Sequence, residues 1–186
     1  MGQHSSQYRA ALDELAAVFD RIDNAKVERL LDMIAAAGKV VVFGGGREGL
    51  QIRGFAMRLF HLGRTVSVVG DMTTPAIGSG DLFLVTCGPG EISTALGPIG
   101  VAKAAGATVA VITAQPAGRA PQMADFVLVL PAQTMADDQR PDGSILPMGS
   151  VYEGALFVLF EVMVLRLREK IGVSLEVMRS NHTNLE

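Results

Sequence analysis

The stretch KVVVFGGGREGL, residues 39–50, joins an apolar run to three consecutive glycines and a charged pair. The apolar run, residues 40–43, is rich in β-branched side chains, which favour a buried strand. The pattern after the glycines predicts a helix that reaches about residue 62. A glycine turn between a strand and a helix brings backbone N–H groups and a helix N-terminus to one point, which attracts anions. Because ligands of open α/β sheets bind at the carboxyl ends of the strands, this turn is the first candidate binding site.

The rest of the chain continues the alternation of strands and helices. The other predicted strands are residues 65–69, 81–86, 108–113 and 126–130. These runs are continuously apolar, and helical patterns separate most of them, which is typical of a parallel sheet covered on both faces. We therefore predict one α/β domain, residues 1–186. Its predicted parts are N-terminal helices over 1–37, an α/β core over 38–170 that ends in a long apolar helix from 148, and a tail over 171–186.

Composition excludes several classes of protein. Of 186 residues, 49% are hydrophobic and the formal net charge is −3, so we expect no nucleic-acid surface, which would need a basic patch. The longest apolar run, residues 155–165, is interrupted by Glu161 and is too short to span a bilayer. The single cysteine, Cys87, excludes an internal disulfide and fits a reducing compartment. With no recognisable signal peptide, a cytoplasmic location without membrane attachment is expected.

A second glycine turn, TCGPGEIS at residues 86–93, follows another apolar strand. Neighbouring strands of a parallel sheet end at the same edge, so the two turns are expected to face one pocket. The first turn also fits the dinucleotide pattern G-x-G-x-x-G at Gly44, Gly46 and Gly49, and Asp71 lies near the place of the ribose-binding acid. A dinucleotide therefore remains an alternative ligand.

Four segments in the same order carry a resemblance to a known family: VVFGGGREGL, AMRLFHLG, GDMTTPAIGSGDLFLVTCGPGEIS and SNHTNLE. They resemble the sugar isomerase (SIS) domain, and within it the 6-phospho-3-hexuloisomerases, over nearly the whole chain from about residue 38. The resemblance implies a three-layer α/β sandwich with a five-stranded parallel sheet of flavodoxin-like order. It also implies a homotetramer with sites shared between subunits, and isomerisation of a 3-keto to a 2-keto hexose 6-phosphate through an enediol.

The resemblance implies two catalytic residues. Glu153 matches the family's catalytic glutamate, and His182 matches the histidine of its C-terminal motif, although Asn181 stands where that motif usually has arginine. A carboxylate can move a proton between adjacent carbons, and a histidine can serve the sugar oxygens or ring opening near neutral pH.

The phosphate-binding turns depart from the family pattern. Glu48 replaces a serine, and Cys87, Pro89 and Ile92 replace two serines and a threonine, so that Ser93 retains the hydroxyl. Glu48 would repel a phosphate dianion by several kcal/mol at roughly 4 Å. The residues predicted to contact the ligand are Gly44, Gly46, Arg47, Glu48, Thr74, Cys87, Gly88, Gly90 and Ser93.

Three functions follow from these departures. The chain is an isomerase of a sugar or polyol derivative without phosphate, or an isomerase that binds phosphate through Arg47, backbone N–H groups and Ser93. The third alternative is a non-catalytic sugar-binding protein with a degenerate phosphate loop.

No cofactor or metal is expected. A cysteine at a helix N-terminus would have a lowered pKa, but Cys87 has no paired base in the sequence, so a buried structural role is preferred. The acidic residues Asp137, Asp138 and Asp142 have no neighbouring His or Cys ligands, so a solvated loop is preferred over a cation site.

Overall fold

The computed structural model describes residues 2–139 and 144–185. The strands are β1 Val40–Gly44, β2 Val66–Val68, β3 Leu82–Thr86, β4 Thr108–Thr113 and β5 Phe126–Val129. The helices are α1 Gly2–Phe19, α2 Asn24–Ala36, α3 Gly46–His61, α4 Ser93–Ala104, α5 Arg119–Met123, α6 Ser150–Ile171 and α7 Leu175–Ser180. All strand pairs are parallel in the order β2-β1-β3-β4-β5, so the predicted flavodoxin-like sheet is confirmed.

Alternate side chains of each strand enter two different cores. In β1, Val40 and Val42 pack with α2, α3 and α6, whereas Val41 packs with α4 and α5 on the opposite face. The sheet is therefore the middle of three layers, as predicted. Burial on both faces explains why the strands are continuous apolar runs rather than alternating ones.

The register of the sheet brings the two glycine turns together. Gly44 at the end of β1 pairs with Thr86 at the end of β3. The residues that follow each strand therefore leave the sheet side by side, at the edge where α3 begins.

Helix α6 crosses one face of the sheet and contacts α1, α2 and α3. The rings of Phe55 and Phe160 stack with centroids 4.4 Å apart and fix α3 against α6. Gly149 precedes α6 with a φ of 79°, so the helix begins at Ser150, two residues after the predicted start.

Several large apolar side chains remain exposed. They lie on α1, α3 and α6: Tyr8, Leu12, Leu50, Met57, Phe60, Phe157 and Leu165. Within the part of the chain that the structure describes, no helix combines the length and apolar character that a bilayer-spanning helix needs.

Candidate active site

A cavity of about 440 Å³ lies where β1 and β3 end, and we call it the Glu153 cavity. Both glycine turns contribute to its wall, together with the first turn of α6 and the segment that precedes α6. The lining residues are Gly45, Gly46, Arg47, Glu48, Pro89, Ile92, Thr94, Thr134, Met135, Met148, Gly149, Tyr152 and Glu153. The two turns predicted to share a pocket therefore do so.

The first turn needs glycine for close packing. A Cβ at Gly44 would lie 2.5 Å from the Thr86 hydroxyl oxygen and 3.0 Å from the Gly49 nitrogen. Gly46 opens α3 with a φ of 53°, a conformation that favours glycine. Gly46 lines the cavity, whereas Gly44 lies behind it and supports the turn.

Glu153 and Arg47 form an ion pair inside the cavity. Arg47 Nη2 lies 2.8 Å from Glu153 Oε2, and Arg47 Nη1 donates to the Ser150 hydroxyl at 3.2 Å. The Glu153 side chain is only 12% exposed, and burial raises its pKa while the charge of Arg47 opposes this shift. The Arg47 side chain is 59% exposed, so its guanidinium remains accessible to an anionic ligand.

Glu48 points from α3 towards the second turn. Both of its carboxyl oxygens accept the Gly88 N–H, each at 3.0 Å. The residue is 8% exposed, and burial raises the pKa of its carboxyl to about 7; the Gly88 N–H opposes this shift and the nearby charge of Glu153 adds to it. The Gly88 N–H, which the second turn could otherwise offer to a ligand, therefore already donates to Glu48.

Most residues of the second glycine turn do not line the cavity. Cys87 is fully buried, and burial raises the pKa of its thiol to about 12. The lowered pKa expected of a helix N-terminus is therefore wrong, and the buried structural role is confirmed. Gly90 has a φ of 80°, and its carbonyl accepts the Ala120 N–H, so it faces α5 rather than the cavity.

Two predicted hydroxyl contacts lie outside the cavity wall. Ser93 is exposed at the start of α4, and the neighbouring Thr94 lines the cavity in its place. Thr74 lies in the loop after β2, where its hydroxyl donates to the Val68 carbonyl at 2.6 Å. Glu91 pairs with Arg119 at 3.3 Å.

His182 lies in a second cavity of about 480 Å³, which we call the His182 cavity. Its ring centroid is 5.1 Å from that of His61, and Arg58 and Arg179 also line the space. Arg58 is 11 residues after Arg47 on α3, a separation of roughly 16 Å along the helix axis. Within one chain, the predicted imidazole and the predicted carboxylate therefore lie in different cavities.

Sequence reasoning missed one wall of the Glu153 cavity. Thr134, Met135 and Met148 come from the irregular segment between β5 and α6, and Tyr152 comes from the first turn of α6. The available signal was the length of that segment, because long loops in compact domains are often functional.

Asp137, one of the acidic residues of the same segment, forms its hydrogen bonds within that segment. Asp137 accepts the N–H and hydroxyl of Thr134 at 2.8 and 3.1 Å. Among the residues that the structure describes, no three His, Cys, Asp or Glu side chains are arranged to hold a metal ion. Asp142 lies outside the described residues.

The sequence resembles characterised relatives over almost its full length. The chain matches no protein-family model. It is 40% identical over 177 residues to the 3-hexulose-6-phosphate isomerase of Mycobacterium gastri, which covers 94% of this chain and 87% of the relative. It is 33% identical over 175 residues to the protein of the same name from Bacillus subtilis, which covers 94% and 95%.

Solved structures share the fold. A Methanococcus jannaschii protein with an inferred molecular function of 3-hexulose-6-phosphate isomerase superposes with a TM-score of 0.85 at 25% identity, over 97% of this chain and 99% of that chain. The sugar isomerase domain of a Sphaerobacter thermophilus RpiR transcription factor shows the fold alone, with a TM-score of 0.72 at 14% identity over 97% and 96%. The predicted family is confirmed: the chain belongs to the SIS sugar isomerases, in the family of the 3-hexulose-6-phosphate isomerases.

Proposed function

We propose that this protein is a sugar-phosphate isomerase that interconverts a 3-keto and a 2-keto hexose 6-phosphate through an enediol. Relatives at 33–40% identity carry the name of this activity. The observation that carries the proposal is the Glu153 carboxylate, which is largely buried beside Arg47 in the cavity at the ends of β1 and β3. Neither a cofactor nor a metal takes part in the proposed reaction.

Glu153 is the proposed base. A carboxylate in a partly buried site is a stronger base than one in water, because burial disfavours its charged form. Arg47 at 2.8 Å limits this effect and favours the ionised form, in which Glu153 can accept a carbon-bound proton. Its position on the first turn of α6 holds it rigidly against the cavity.

Arg47 is the proposed phosphate ligand. Its side chain is largely exposed, and a guanidinium can bind two phosphate oxygens at once. The Ser150 hydroxyl lies 3.2 Å from Arg47 Nη1, and Thr94 lines the same cavity. Both hydroxyls can donate to further phosphate oxygens. This arrangement replaces the serine-rich cradle implied by the family resemblance.

A shared site in a homo-oligomer, a tetramer on the family pattern, is the proposed way to bring His182 to Glu153. The separation of the two cavities within one chain supports this arrangement. The exposed apolar side chains on α1, α3 and α6 are available for a subunit interface, where their apolar surface would be buried. We also propose that the chain acts as a single domain in the cytoplasm.

Turnover tests the function directly. Purified protein is mixed with 3-hexulose 6-phosphate, and formation of fructose 6-phosphate is followed. The Glu153→Gln variant should lower kcat about 10³-fold, because the amide cannot accept the proton. The matched control is Glu169→Gln, an exposed acid near the other end of α6.

The outcomes separate two functions. Conversion that depends on Glu153 supports the isomerase. Saturable binding of hexose phosphates in a thermal-shift assay, without conversion, would instead support a non-catalytic sugar-binding protein. That second candidate is favoured by Glu48, whose carboxyl already occupies the Gly88 N–H.

A further inference from the structure

We propose, building on the proposed function, that Glu48 is a second acid–base residue of the Glu153 cavity and exchanges protons with the sugar oxygens at C2 and C3. The family resemblance implies a serine at this position. The role of Glu48 would therefore distinguish this chain from relatives that follow the family pattern.

The carboxyl group of Glu48 is held in a fixed position on the cavity wall. Both oxygens lie 3.0 Å from the Gly88 nitrogen. Gly88 is packed closely against both side chains, because a Cβ there would lie 2.8 Å from Tyr152 Cε1 and 2.9 Å from Glu48 Oε1. The Tyr152 ring is anchored in turn, since its hydroxyl donates to the Ile112 carbonyl at 2.9 Å. A positioned acid of this kind is what proton transfer requires.

The charges around Glu48 favour its protonated form. Glu153 and Tyr152 face it from α6, Cys87 faces it from the second turn, and Arg47 precedes it on α3. Arg47 is paired with Glu153, and within the described residues no cation forms a salt bridge with Glu48. Burial raises the pKa of Glu48 to about 7, and the negative charge of Glu153 acts in the same direction.

The two carboxyls are therefore set apart in protonation. Near neutral pH Glu48 retains a proton for a large part of the time, while the Arg47 guanidinium 2.8 Å away favours the ionised form of Glu153. One acid and one base in a single cavity is the arrangement that environment-tuned carboxyl pairs provide in enzymes. A protonated Glu48 also carries no charge that would repel a phosphate dianion.

The proton transfers balance without any further reactant. Glu153 removes the proton from C2 of the 3-ketose while the Glu48 O–H donates its proton to the carbonyl oxygen on C3, which forms the 2,3-enediol. The Glu48 carboxylate then takes the proton from the hydroxyl on C2 while Glu153 returns its proton to C3. C2 becomes the carbonyl carbon, C3 becomes the alcohol carbon, and both residues regain their starting protonation.

The test compares kcat and KM from pH 5.5 to 9 for the wild type, Glu48→Gln, Glu48→Ser and the surface control Glu169→Gln. Glutamine can still accept the Gly88 N–H but cannot donate a titratable proton. We expect Glu48→Gln to lower kcat at least 100-fold near pH 6.5 with KM changed less than about threefold. The wild-type kcat should fall as pH rises through about 7, because Glu48 then loses its proton. This descending limb of the pH profile should be absent from Glu48→Gln.

If Glu48→Gln folds poorly, the Glu48→Ser variant and the wild-type profile of kcat against pH still test the proposal. Serine restores the hydroxyl of the family pattern, so Glu48→Ser should also lose activity if Glu48 is the acid. If Glu48→Ser is more active than the wild type, the assignment is overturned, because Glu48 then hinders the reaction. A wild-type kcat without a descending limb between pH 6 and 8.5 would overturn it as well.

Failure of the proposed function looks different. Wild-type protein without turnover would overturn both the isomerase function and the assignment of Glu48. An active wild type whose Glu48→Gln variant keeps the same kcat and pH profile would overturn the assignment alone.

Discussion

The Glu153 cavity and the His182 cavity are both bounded by α3, but they are lined by different ionisable groups. The first contains two carboxyls and one guanidinium, Glu48, Glu153 and Arg47. The second is lined by Arg58, Arg179, His61 and His182, with no carboxyl among its lining residues. The first contains the acid and the base proposed for the enediol step, and the second contains the imidazole, which can serve ring opening. Within one chain the two sets of groups lie apart, which is why we propose a site shared between two chains.

Subunit complementation should give the largest effect, and it tests whether the Glu153 and His182 cavities of different copies form one site. Glu153→Gln and His182→Ala should each have little activity alone. If the two cavities meet between copies, co-expressed variants should regain about a quarter of the wild-type activity, because random assembly pairs the two intact groups in that share of the sites. The regained activity is measured as kcat of the mixed preparation.

The control for complementation is each variant mixed with itself at the same total concentration. Mixed preparations that stay at the level of the single variants would show that His182 does not serve the Glu153 cavity of another copy. In that case the two cavities would act independently.

Gly88→Ala should damage the Glu153 cavity and leave the His182 cavity intact. The added Cβ would approach the anchored Tyr152 ring and the Glu48 carboxyl, and overpacking of this kind costs about 1–3 kcal/mol in the free energy of unfolding. Urea unfolding at fixed protein concentration measures the loss. Gly54→Ala is the matched control, because its Cβ would meet nothing within 4 Å on the exposed face of α3.

Glu48 should also make stability depend on pH. Its folded pKa of about 7 lies above the ordinary glutamate pKa of 4.5, so between these two pH values the folded protein holds a proton that the unfolded chain has released. Stability from this group is therefore lost as pH rises through that window, by up to about 3 kcal/mol. Glu48→Gln should remove this dependence, which urea unfolding at pH 4.5 and pH 8 would detect. If the free energy of unfolding changes equally with pH in the variant and the wild type, the assignment of a raised pKa to Glu48 is contradicted.

The smallest expected effect concerns the contact between α7 and the end of α3. The Asn181 side-chain amide donates to the His61 carbonyl at 3.0 Å and attaches α7 to the end of α3. Asn181→Ala should lower the free energy of unfolding by about 1 kcal/mol. Asn184→Ala, an exposed neighbour on the same tail, should leave it unchanged. A larger loss for the Asn184 variant would argue against this attachment.

Much of the fold is predictable because burial on both faces makes each strand a continuous apolar run. The predicted third strand begins one residue before β3, and the predicted fourth strand has the bounds of β4. The meeting of the two glycine turns follows from parallel pairing, which aligns Gly44 with Thr86. Hydrophobic period and turn chemistry predict the strands and the turns, whereas the order that makes β1 and β3 neighbours was implied by the family resemblance.

The site is less predictable, because its details depend on single residues and on tertiary contacts. Ser93 and Thr94 differ by one position on α4, and helix phase decides which of them lines the cavity. Thr74 was expected near the ligand, but its hydroxyl is used by the Val68 carbonyl. The location of His182 depends on how the tail packs against α3, and no local sequence pattern encodes that contact.

The burial of Cys87 bears on how the protein would respond to oxidative stress. Peroxides and alkylating reagents attack the thiolate, and a buried thiol with a pKa near 12 offers almost none of it. Two exposed sulfurs, those of Met135 and Met148, instead belong to residues that line the Glu153 cavity. Peroxide damage to this protein should therefore be repairable by methionine sulfoxide reductases, and thiol reductants should not reverse it.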